Sequence, residues 1–525
     1  MKPLYLAKSL LHRLIASPNA RHYMAANRAC FQSQKNHTKR QVLINQVHSY
    51  PPVELYAQAS NYLAKRRNAS ICHYRFESER LDRLGVPHPV LERLFSSFGS
   101  RLGLSWRWLQ TDSIALIFEA LLTFRDLRSK DDVLELEMEG VPVGTLIYDT
   151  YLRRYRQETL QTRSWRLLWI LIQAQVIVRR TQQYFRDHQV VLLIPGDVAY
   201  IYSGIVARAA ILKGIPTYSV VEIPCRLQLM DSSFYRRVPY WRYREQFAAL
   251  PRKKQLTAKQ QGTKLIDARF SGLPDGRMAY MHQSTYAAQN GAKRALLSNQ
   301  NNKVLVLLHD FFDSPHIYRQ MLFADFWEWI CFTLERASQT PFEWYVKAHP
   351  NGLTGNDCII ARLQARFPKI HFLDPNTSNR QLVDEGIAAV FSVYGSAGHE
   401  FPYLGVPVVM AGDNPHVAYD FALTPQTVED YARLINTAGE LRCDADLDQL
   451  REFYYMHYCH YQSELPLDPV YPPSDFCERM DLDNLPSKEQ RNHYHKADST
   501  LAYLLEQRTP KQEQKLQAFF REIFG

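Results

Sequence analysis

The stretch AVFSVYGSAGHEFPYLGVPVVMAG, residues 389–412, contains the clearest fold signal in this chain. It opens with an apolar run typical of a buried strand, passes through a turn of Gly, Ser and Ala, and closes with a β-rich run after Gly405 and Pro407. The segment between the two runs has the length of a short helix. This order predicts a βαβ unit whose two strands belong to one parallel sheet.

Residues 190–221 repeat this pattern in the first half of the chain. An apolar run is followed by a Pro-Gly-Asp turn at residues 195–197 and then by a helix-like segment. Residues 204–214 extend from one glycine to another over the same length as residues 395–405. We therefore expect the same βαβ element in both halves, with glycine at the helix C-terminus and proline before the second strand.

Further strand candidates alternate with helical patterns; they are residues 41–46, 69–74, 303–308, 343–347, 370–373 and 388–392. This alternation favours parallel sheets that are covered by helices. The predicted fold class is α/β, with two facing Rossmann-like, doubly wound domains and a C-terminal helical tail.

The 525 residues exceed one ordinary hydrophobic core, so the chain is expected to form two or more domains. We assign residues 1–300 to an N-terminal domain that includes a basic, helix-prone segment at 236–300. Residues 301–455 are assigned to a second domain. Residues 456–525 are predicted to be an extension that packs back on the first domain and contains an amphipathic helix at 510–524.

With 46% hydrophobic and 22% charged residues, the composition is that of a soluble globular protein. The most apolar helix-like run, residues 167–178, is too short to span a bilayer, and residues 1–16 lack the sustained apolar core of a signal peptide. Eight cysteines without any Cys-x-x-Cys pair argue against a zinc module or a disulfide scaffold. A cytoplasmic location is therefore predicted.

The net charge of +10 includes basic clusters at residues 21–40, 236–244 and 252–264. Such clusters attract anionic partners, here anionic lipid at the inner face of the plasma membrane or an acidic polysaccharide. The alternative is a solvated basic face without a partner. Nucleic acid is not expected, because no recognition module accompanies the charge.

Two groups of residues suited to bind an anion follow predicted strands. Lys347 and His349 lie where the apolar run 343–347 ends. Gly395 and Ser396 form a turn before a helix, where free N–H groups and the helix dipole favour an anion. Both groups are therefore expected to contact phosphate.

The sequences KAHP at 347–350, GSAGHE at 395–400 and GVP at 405–407 resemble the C-terminal domain of GT-B glycosyltransferases. They are similar in particular to the bacterial capsule and surface-polysaccharide group that includes Kdo transferases and sialyltransferases with a His-Pro motif. The resemblance covers residues 303–455 well and the first half in outline. It implies a metal-independent enzyme without a cofactor that uses a nucleotide sugar as donor, with CMP preferred as the nucleotide. A Gly-x-Gly-x-x-Gly fingerprint is missing, which argues against an NAD enzyme.

The resemblance also implies roles for single residues. His349 contacts the donor phosphate, Ser396 and its neighbouring N–H groups bind phosphate, and Glu400 binds the ribose or another part of the donor. The full predicted donor site is Lys347, His349, Ser392, Tyr394, Gly395, Ser396, Ala397 and Glu400. The alternatives are a surface lysine at a strand end for Lys347, a simple turn for His349, and packing rather than base stacking for Tyr394.

One acidic motif departs from the family pattern. In the His-Pro sialyltransferases an acidic pair followed by glycine precedes the His-Pro motif and provides the base, whereas here Asp384, Glu385 and Gly386 follow it. That role is therefore not transferred. The two carboxylates are predicted to be exposed at the end of a helix.

An inverting transfer needs a base that deprotonates the acceptor hydroxyl. Two aspartates of the first half are candidates. Asp149 lies among aromatic residues and close to Arg153, and Asp197 follows a strand at its carboxyl end, where open α/β sheets bind ligands. We favour Asp149 over Asp197. The alternative for Asp149 is a helix N-cap.

The loop after the first strand of the second domain is a further candidate for donor binding. It contains His309, Asp310, Asp313, Ser314 and His316 and lacks glycine, so its side chains rather than its backbone would recognise the donor. The alternatives are a metal site and a helix cap, but the spacing matches no familiar metal site and no metal is predicted. Residues 413–416 are expected to close the donor pocket.

The sequence thus predicts a glycosyltransferase of bacterial surface-polysaccharide assembly, which transfers a sugar to a glycan or lipid-linked acceptor. The first alternative is a nucleotide-sugar 2-epimerase, which would convert the donor without any acceptor. The second is a non-catalytic glycan-binding protein of the polysaccharide export machinery. Donor sugar, nucleotide, acceptor, stereochemical outcome and oligomeric state stay open at this stage.

Overall fold

The computed structural model describes residues 15–31, 38–47, 50–76, 88–106, 110–222, 225–230, 239–271, 286, 293–349, 355–460 and 498–524. Pro350, the basic residues 236–238 and most of the predicted extension before residue 498 lie outside these ranges. None of the described helices is long and apolar enough to cross a bilayer.

The strands are β1 (Arg40–Asn45), β2 (Ser70–Arg75), β3 (Arg101–Ser105), β4 (Glu137–Met138), β5 (Val141–Pro142), β6 (Gln189–Ile194), β7 (Tyr218–Glu222), β8 (Cys225–Leu229), β9 (Lys303–Leu307), β10 (Glu343–Lys347), β11 (His371–Leu373), β12 (Ile387–Ser392) and β13 (Val408–Met410). The helices are α1 (Pro18–Phe31), α2 (Tyr50–Arg67), α3 (Pro89–Ser97), α4 (Ser113–Asp126), α5 (Lys130–Leu134), α6 (Gly144–Tyr155), α7 (Trp165–Asp187), α8 (Ile201–Leu212), α9 (Tyr243–Ala248), α10 (Arg252–Phe270), α11 (Phe326–Ala337), α12 (Asn356–Arg366), α13 (Asn379–Asp384), α14 (Ala397–Tyr403), α15 (Val428–Asn436), α16 (Leu447–Tyr455), α17 (Asp498–Glu506) and α18 (Pro510–Phe524).

The first sheet has four parallel strands in the order β3-β2-β1-β6. Leu43 packs in the hydrophobic core on one face, and its neighbours Val42 and Ile44 pack in the core on the other face. A strand that is buried on both faces reads as a continuous apolar run, which is why β1 was predicted. The edge strand β3 was missed, because Gly103 interrupts a short apolar pattern.

The second sheet has five parallel strands in the order β11-β10-β9-β12-β13. Val304 and Val306 of β9 lie in one core, and Leu305 lies in the core on the opposite face. The predicted fold class, α/β with two parallel sheets flanked by helices, is confirmed.

The two predicted βαβ repeats differ in their last strand. In the second half, β13 pairs in parallel with β12 after α14. In the first half, Thr217 makes one parallel bridge with Leu193, and the chain then forms the antiparallel hairpin β7-β8 instead of a long parallel strand. Both helices are followed by a glycine with positive φ, Gly214 at 68° and Gly405 at 79°, a conformation that other residues rarely adopt.

Helices α9 and α10 pack on the second sheet, whereas the sequence analysis assigned their segment to the first domain. Phe247 and Ile266 lie in the same hydrophobic core as Phe453 of α16. The contact between α10 and α16 is close, since a β-carbon at Gly262 would lie 2.0 Å from the carbonyl oxygen of Arg451. Burial of this apolar face decides the placement, and the basic residues Arg252, Lys253, Lys254 and Lys264 of α10 are exposed, whereas Arg269 is buried.

Glu452 on α16 provides a pH test of this packing. Burial raises the pKa of its carboxyl to about 7, although Lys259 and Arg244 oppose the effect. The folded protein therefore binds this proton more tightly than the unfolded chain, and the stability that the protonated form contributes is lost as the pH rises from about 4.5 to about 7. We expect Glu452→Gln to raise the melting temperature by roughly 2–4 °C near pH 8 and by clearly less near pH 5.

Thermal unfolding of the wild type and the variant at both pH values checks this expectation. The exposed Glu429 of α15 offers a matched control, because Glu429→Gln removes a carboxylate that is already solvated. An equal shift of the melting temperature at the two pH values would contradict the raised pKa of Glu452.

The C-terminal helices α17 and α18 pack against α1 and α2 beside the first sheet. Phe520 and Phe524 lie in the same hydrophobic core as Val42 of β1. Arg508, between the two helices, donates to both carboxylate oxygens of the buried Glu54, at 2.9 and 2.5 Å. An apolar contact and a buried ion pair therefore both attach the C-terminal helices to this half of the molecule.

Candidate functional site

Loops from the carboxyl ends of both sheets meet each other. Residues 195–200 follow β6 of the first sheet, and residues 308–316 follow β9 of the second. The Ser314 hydroxyl donates to the Tyr200 hydroxyl at 3.1 Å and joins the two loops. Open α/β sheets bind ligands at the carboxyl ends of their strands, so this junction is the candidate site.

Asp149 and His316 form a hydrogen-bonded pair across the junction. Asp149 lies in the middle of α6, and its Oδ1 is 2.6 Å from Nδ1 of His316. The ring of Tyr148 packs edge-on against the imidazole, with 5.0 Å between ring centroids. The N-cap alternative for Asp149 is wrong, because the residue is inside the helix and its carboxylate faces the other half of the molecule.

Each member of this pair retains one unpaired polar atom. Within the described part of the chain, Asp149 Oδ2 and His316 Nε2 are buried and have no hydrogen-bond partner. The Asp149 side chain is fully buried, and 11% of the His316 side chain is exposed. A buried polar atom without a partner costs stability, and such exceptions cluster at functional sites. The pair therefore has the geometry of a carboxylate that orients an imidazole whose second nitrogen is available for chemistry.

Other charged groups surround the pair. Asp313 belongs to the same loop as His316, and burial raises the pKa of its carboxyl. The guanidinium of Arg153 on α6 opposes this effect, while the carboxylates of Asp310 and Asp149 add to it. The structure thus brings Asp313, Ser314 and His316 of the predicted donor loop to the junction, together with the predicted base Asp149.

Asp197, the second candidate base, has a different environment. Its side chain is exposed, and its Oδ1 accepts a hydrogen bond from the backbone N–H of Ala199 at 3.0 Å. This local turn precedes α8, so Asp197 shapes the loop that carries Tyr200. Of the two predicted carboxylates, Asp149 is the one hydrogen-bonded to the other half of the molecule.

His349 extends from the carboxyl end of β10 at the same edge of the second sheet. The His349 side chain has an exposed surface, and burial of the rest of the ring lowers the pKa of its imidazole. The Asp310 carboxylate opposes this effect, and the Lys347 ammonium adds to it. His349 is therefore neutral near neutral pH, and its contact with a donor phosphate stays a prediction.

Lys347 and Glu400 lie in a buried polar network rather than in an open site. Lys347 Nζ donates to Oδ1 of Asn379 at 2.6 Å, and burial lowers its pKa to about 8. Glu400 accepts from Arg269 Nε at 2.6 Å and from the Tyr286 hydroxyl at 2.8 Å, so both carboxylate oxygens have partners. Their partners are Asn379 of α13, Arg269 of α10 and Tyr286, which sequence reading could not place beside them. The predicted ligand contacts of Lys347 and Glu400 stay predictions.

The predicted turn at residues 394–397 forms before α14. Gly395 has φ = 101°, which requires glycine, and it is exposed, while Ser396 occupies the helix N-cap position and is half-buried. The N–H groups of Gly398, His399 and Glu400 donate to the carbonyls of Gly395 and Ser396. Within this turn Gly395 is exposed and Ala397 is buried, and the contact of residues 395–397 with a phosphate stays a prediction.

The turn is held in place by hydrogen bonds that involve Ser392, Tyr394 and His309. His309 Nε2 accepts from the backbone N–H of Tyr394 at 2.9 Å, and Ser392 Oγ donates to the carbonyl of Leu307 at 3.1 Å. The Tyr394 hydroxyl donates to the carbonyl of Pro315 at 2.7 Å. Burial lowers the pKa of His309 to about 3, so its ring is neutral. The packing alternative for Tyr394 is the one observed, since its buried ring lies among His309, Tyr318 and Phe326.

The polar side chains of the loop 309–316 do not converge on one point. His309 contacts the turn, His316 contacts Asp149, and Asp310 accepts from the backbone N–H of Phe312 at 3.0 Å. In the described ranges, no group of three or more His, Cys, Asp or Glu side chains is close enough to hold a metal ion.

Sequence reading missed a second contact between the two halves, which we call the Asp325 cluster (Lys130, Tyr148, Thr159 and Asp325). Asp325 Oδ2 accepts from the Tyr148 hydroxyl at 2.6 Å, from Thr159 Oγ1 at 2.5 Å and from Lys130 Nζ at 3.2 Å. Its Oδ1 caps α11 by accepting from Glu328 N at 2.9 Å. The spacing of Asp325 and Glu328 is an N-cap signal that sequence reading could have found.

Two other predicted acidic segments also have internal partners. Asp413 accepts from Arg319 Nε at 2.6 Å and from the Tyr240 hydroxyl at 3.2 Å. Asp384 is exposed, as predicted, and pairs with a neighbouring arginine on α13. Glu385 is instead half-buried and accepts from the backbone N–H groups of residues 295 and 296, so it fixes the chain before β9.

The sequence matches no protein-family model and no curated relative. Among solved structures, the chain is similar to KpsC of Thermosulfurimonas dismutans, described as a beta Kdo 2,4 transferase, with 13% identity and a TM-score of 0.31 over 52% of this chain and 81% of that chain. It is similar to the UDP-GlcNAc 2-epimerase of Neisseria meningitidis, with 11% identity and a TM-score of 0.22 over 85% of this chain and 100% of that chain. It is also similar to MurG of Acinetobacter baumannii, with 8% identity and a TM-score of 0.20 over 92% of this chain and 100% of that chain. At these identities and TM-scores, the comparisons assign no activity, substrate or partner to this chain.

Proposed function

We propose that this protein is a glycosyltransferase that moves a sugar from a nucleotide-sugar donor to a glycan or lipid-linked acceptor of bacterial surface-polysaccharide assembly. The observation that carries this proposal is the Asp149–His316 pair, with its 2.6 Å hydrogen bond and its two unpaired polar atoms, at the junction of two parallel sheets. A transferase must hold two substrates against each other, and a junction of two sheet edges offers one binding edge to each.

In this proposal His316 Nε2 is the base. It accepts the proton of the acceptor hydroxyl while the hydroxyl oxygen bonds to the anomeric carbon of the donor sugar. The bond from that carbon to the donor phosphate oxygen breaks, and the nucleotide leaves with the electron pair. Asp149 holds Nδ1–H and stabilises the imidazolium that forms, as a carboxylate does beside a histidine base.

The donor phosphate is assigned to the edge of the second sheet. His349 and the turn at residues 395–397 lie at the ends of two strands of one parallel sheet, and the turn opens with an exposed glycine. Hydrogen-bond donors fixed in this way stabilise the charge that develops on a leaving phosphate. CMP is the nucleotide we favour, on the basis of the sequence resemblance.

The proposal is tested first by thermal shift of the full chain with CMP, CDP, UDP, GDP and their sugar conjugates. A ligand that binds the native state raises the melting temperature, by roughly 2–4 °C for each kcal/mol of stabilisation in a domain of 150–250 residues. We expect one nucleotide to give such a shift and the His349→Ala variant to lose most of it. His22→Ala is the matched control, since His22 is an exposed histidine on α1.

The nucleotide that shifts the melting temperature is then supplied as its sugar conjugate, with and without glycan acceptors. Consumption of the donor that depends on an acceptor supports transfer. Conversion of the donor without any acceptor would indicate the epimerase instead. If no nucleotide shifts the melting temperature, the alternative of a non-catalytic glycan-binding protein would be favoured.

A further inference from the structure

Helix α4 exposes its more apolar face to solvent. Ile114 is 83% exposed and Phe118 is 60% exposed, and Ile117, Leu121 and Leu122 continue the same stripe. These residues recur at the helical spacing of one face. The buried face is narrow by comparison, with the fully buried Leu116 and Ala120 at its centre. An amphipathic helix in a globular protein normally shows the reverse arrangement.

The orientation of α4 is fixed by the helix that it packs on. Gln175 of α7 donates to Oε2 of Glu119 at 2.7 Å, and Arg179 of α7 contacts the same carboxylate at 3.1 Å. Arg180, also on α7, makes two hydrogen bonds of 2.7 Å to Asp112 at the N-terminal end of α4. These contacts hold the apolar stripe outward, so its exposure is a feature of the folded structure.

Cationic and aromatic side chains frame the C-terminal end of the stripe. Arg125, Arg128 and Arg163 are exposed, and so are Asp126, Asp131 and Asp132. Arg125 pairs with Asp126 at 2.8 Å, and Asp132 accepts from the backbone N–H of Arg128 at 2.7 Å. Arg163 donates to the carbonyl of Arg125 at 3.3 Å, which holds the chain before α7 next to this helix end. Two residues further on, Trp165 is 71% exposed.

We propose that this surface, the α4 patch (Ile114, Ile117, Phe118, Leu121, Leu122, Arg125, Arg128, Arg163 and Trp165), binds the surface of an anionic lipid bilayer with α4 lying in the membrane plane. A helix with a wide apolar face, framed by arginines and an exposed tryptophan, is the composition that inserts at the headgroup boundary. The net charge of +10 adds long-range attraction to an anionic surface.

An exposed apolar face can also bind a second copy of the same chain. The bilayer is favoured, because the exposed Trp165 and Arg163 border the apolar stripe and the net charge of +10 is complementary to lipid phosphates. At this end of the helix itself, Asp126, Asp131 and Asp132 offset the arginines. The inference does not depend on the proposed enzyme activity, and a protein with no transferase activity would still bind the bilayer through this patch.

The test is co-sedimentation of the full chain with vesicles of phosphatidylcholine and phosphatidylglycerol. We expect the Phe118→Glu/Leu121→Glu double variant to bind at least roughly tenfold more weakly than the wild type, because two charges replace inserted apolar groups. Arg128→Ala is expected to weaken binding roughly fivefold at low salt. Leu256→Glu on α10 is the matched control, since Leu256 is 56% exposed and far from the patch in the fold.

Three outcomes would overturn the proposal. The first is that the wild type does not bind the anionic vesicles, and the second is that the double variant and the wild type bind them equally. The third is that the wild type forms a dimer in analytical ultracentrifugation, that the double variant does not, and that vesicles bind neither protein. Circular dichroism melts of the variants establish that they fold; because the replaced side chains are exposed, the melting temperatures should match that of the wild type.

Discussion

Replacing His316 by alanine is expected to lower the rate of sugar transfer by a factor of roughly 100 to 10,000, the usual contribution of a positioned general base. The variant loses the Nε2 atom that accepts the acceptor proton. Asp149→Asn should show a loss of the same order, because an amide cannot stabilise the imidazolium that forms on proton transfer. Donor binding should be retained in both variants, since the phosphate is assigned to His349 and the turn at residues 395–397.

The measurement combines initial transfer rates with the thermal shift that the donor nucleotide produces. A fall in kcat with an unchanged nucleotide-dependent shift identifies a role in the chemical step rather than in folding or donor binding. Asp197→Asn is the matched control, because Asp197 caps a local turn and should support a rate close to that of the wild type. A wild-type rate in His316→Ala, or a large loss in Asp197→Asn alone, would refute the assignment of the base.

Replacing Asp325 by alanine is expected to lower the free energy of unfolding by roughly 3–5 kcal/mol, the usual cost of breaking a buried ion pair by removing one partner. The Asp325 carboxylate is fully buried and accepts from three side chains of the other half, so its removal leaves Lys130, Tyr148 and Thr159 without this acceptor. The same change removes the N-cap of α11, which adds to the loss.

Urea unfolding, followed by tryptophan fluorescence and by circular dichroism, measures this effect. Arg362→Ala is the matched control, because the Arg362 side chain is 58% exposed and its ion pair with Glu158 also joins the two halves, at 2.6 Å. Exposed pairs contribute roughly 0–1 kcal/mol, so the control should unfold nearly as the wild type does. If Asp325→Ala were as stable as Arg362→Ala, the Asp325 cluster would not be a major contact between the halves.

The sequence was informative where a feature is local. Strands β1, β9, β10 and β12 are continuous apolar runs because both faces of each sheet are covered, and such runs are visible without any knowledge of tertiary contacts. The turn before α14 was equally readable, since the positive φ of Gly395 requires glycine. The short edge strand β3 escaped because its pattern is interrupted.

The candidate site was predictable only in part. Asp149 and His316 were both selected, one as a base and the other as a donor-loop residue, but the hydrogen bond between them joins positions 167 residues apart. Lys347 and Glu400 were selected as ligand contacts, and the structure gives them Asn379 and Arg269 as partners within the protein. A polar side chain at a strand end looks the same in sequence whether it faces a ligand or a buried partner.

The sequence by itself determined the continuous apolar strands of the two large sheets, their parallel arrangement and the edges at which polar side chains gather, because backbone conformation and burial follow local patterns of apolar residues, glycine and proline. The tertiary structure alone decided which polar groups at those edges are paired with one another, which helix packs on which sheet, and that α4 turns its apolar stripe outward. These outcomes depend on hydrogen bonds and apolar contacts between distant segments, whose free energy is gained only when both partners are brought together in the folded chain.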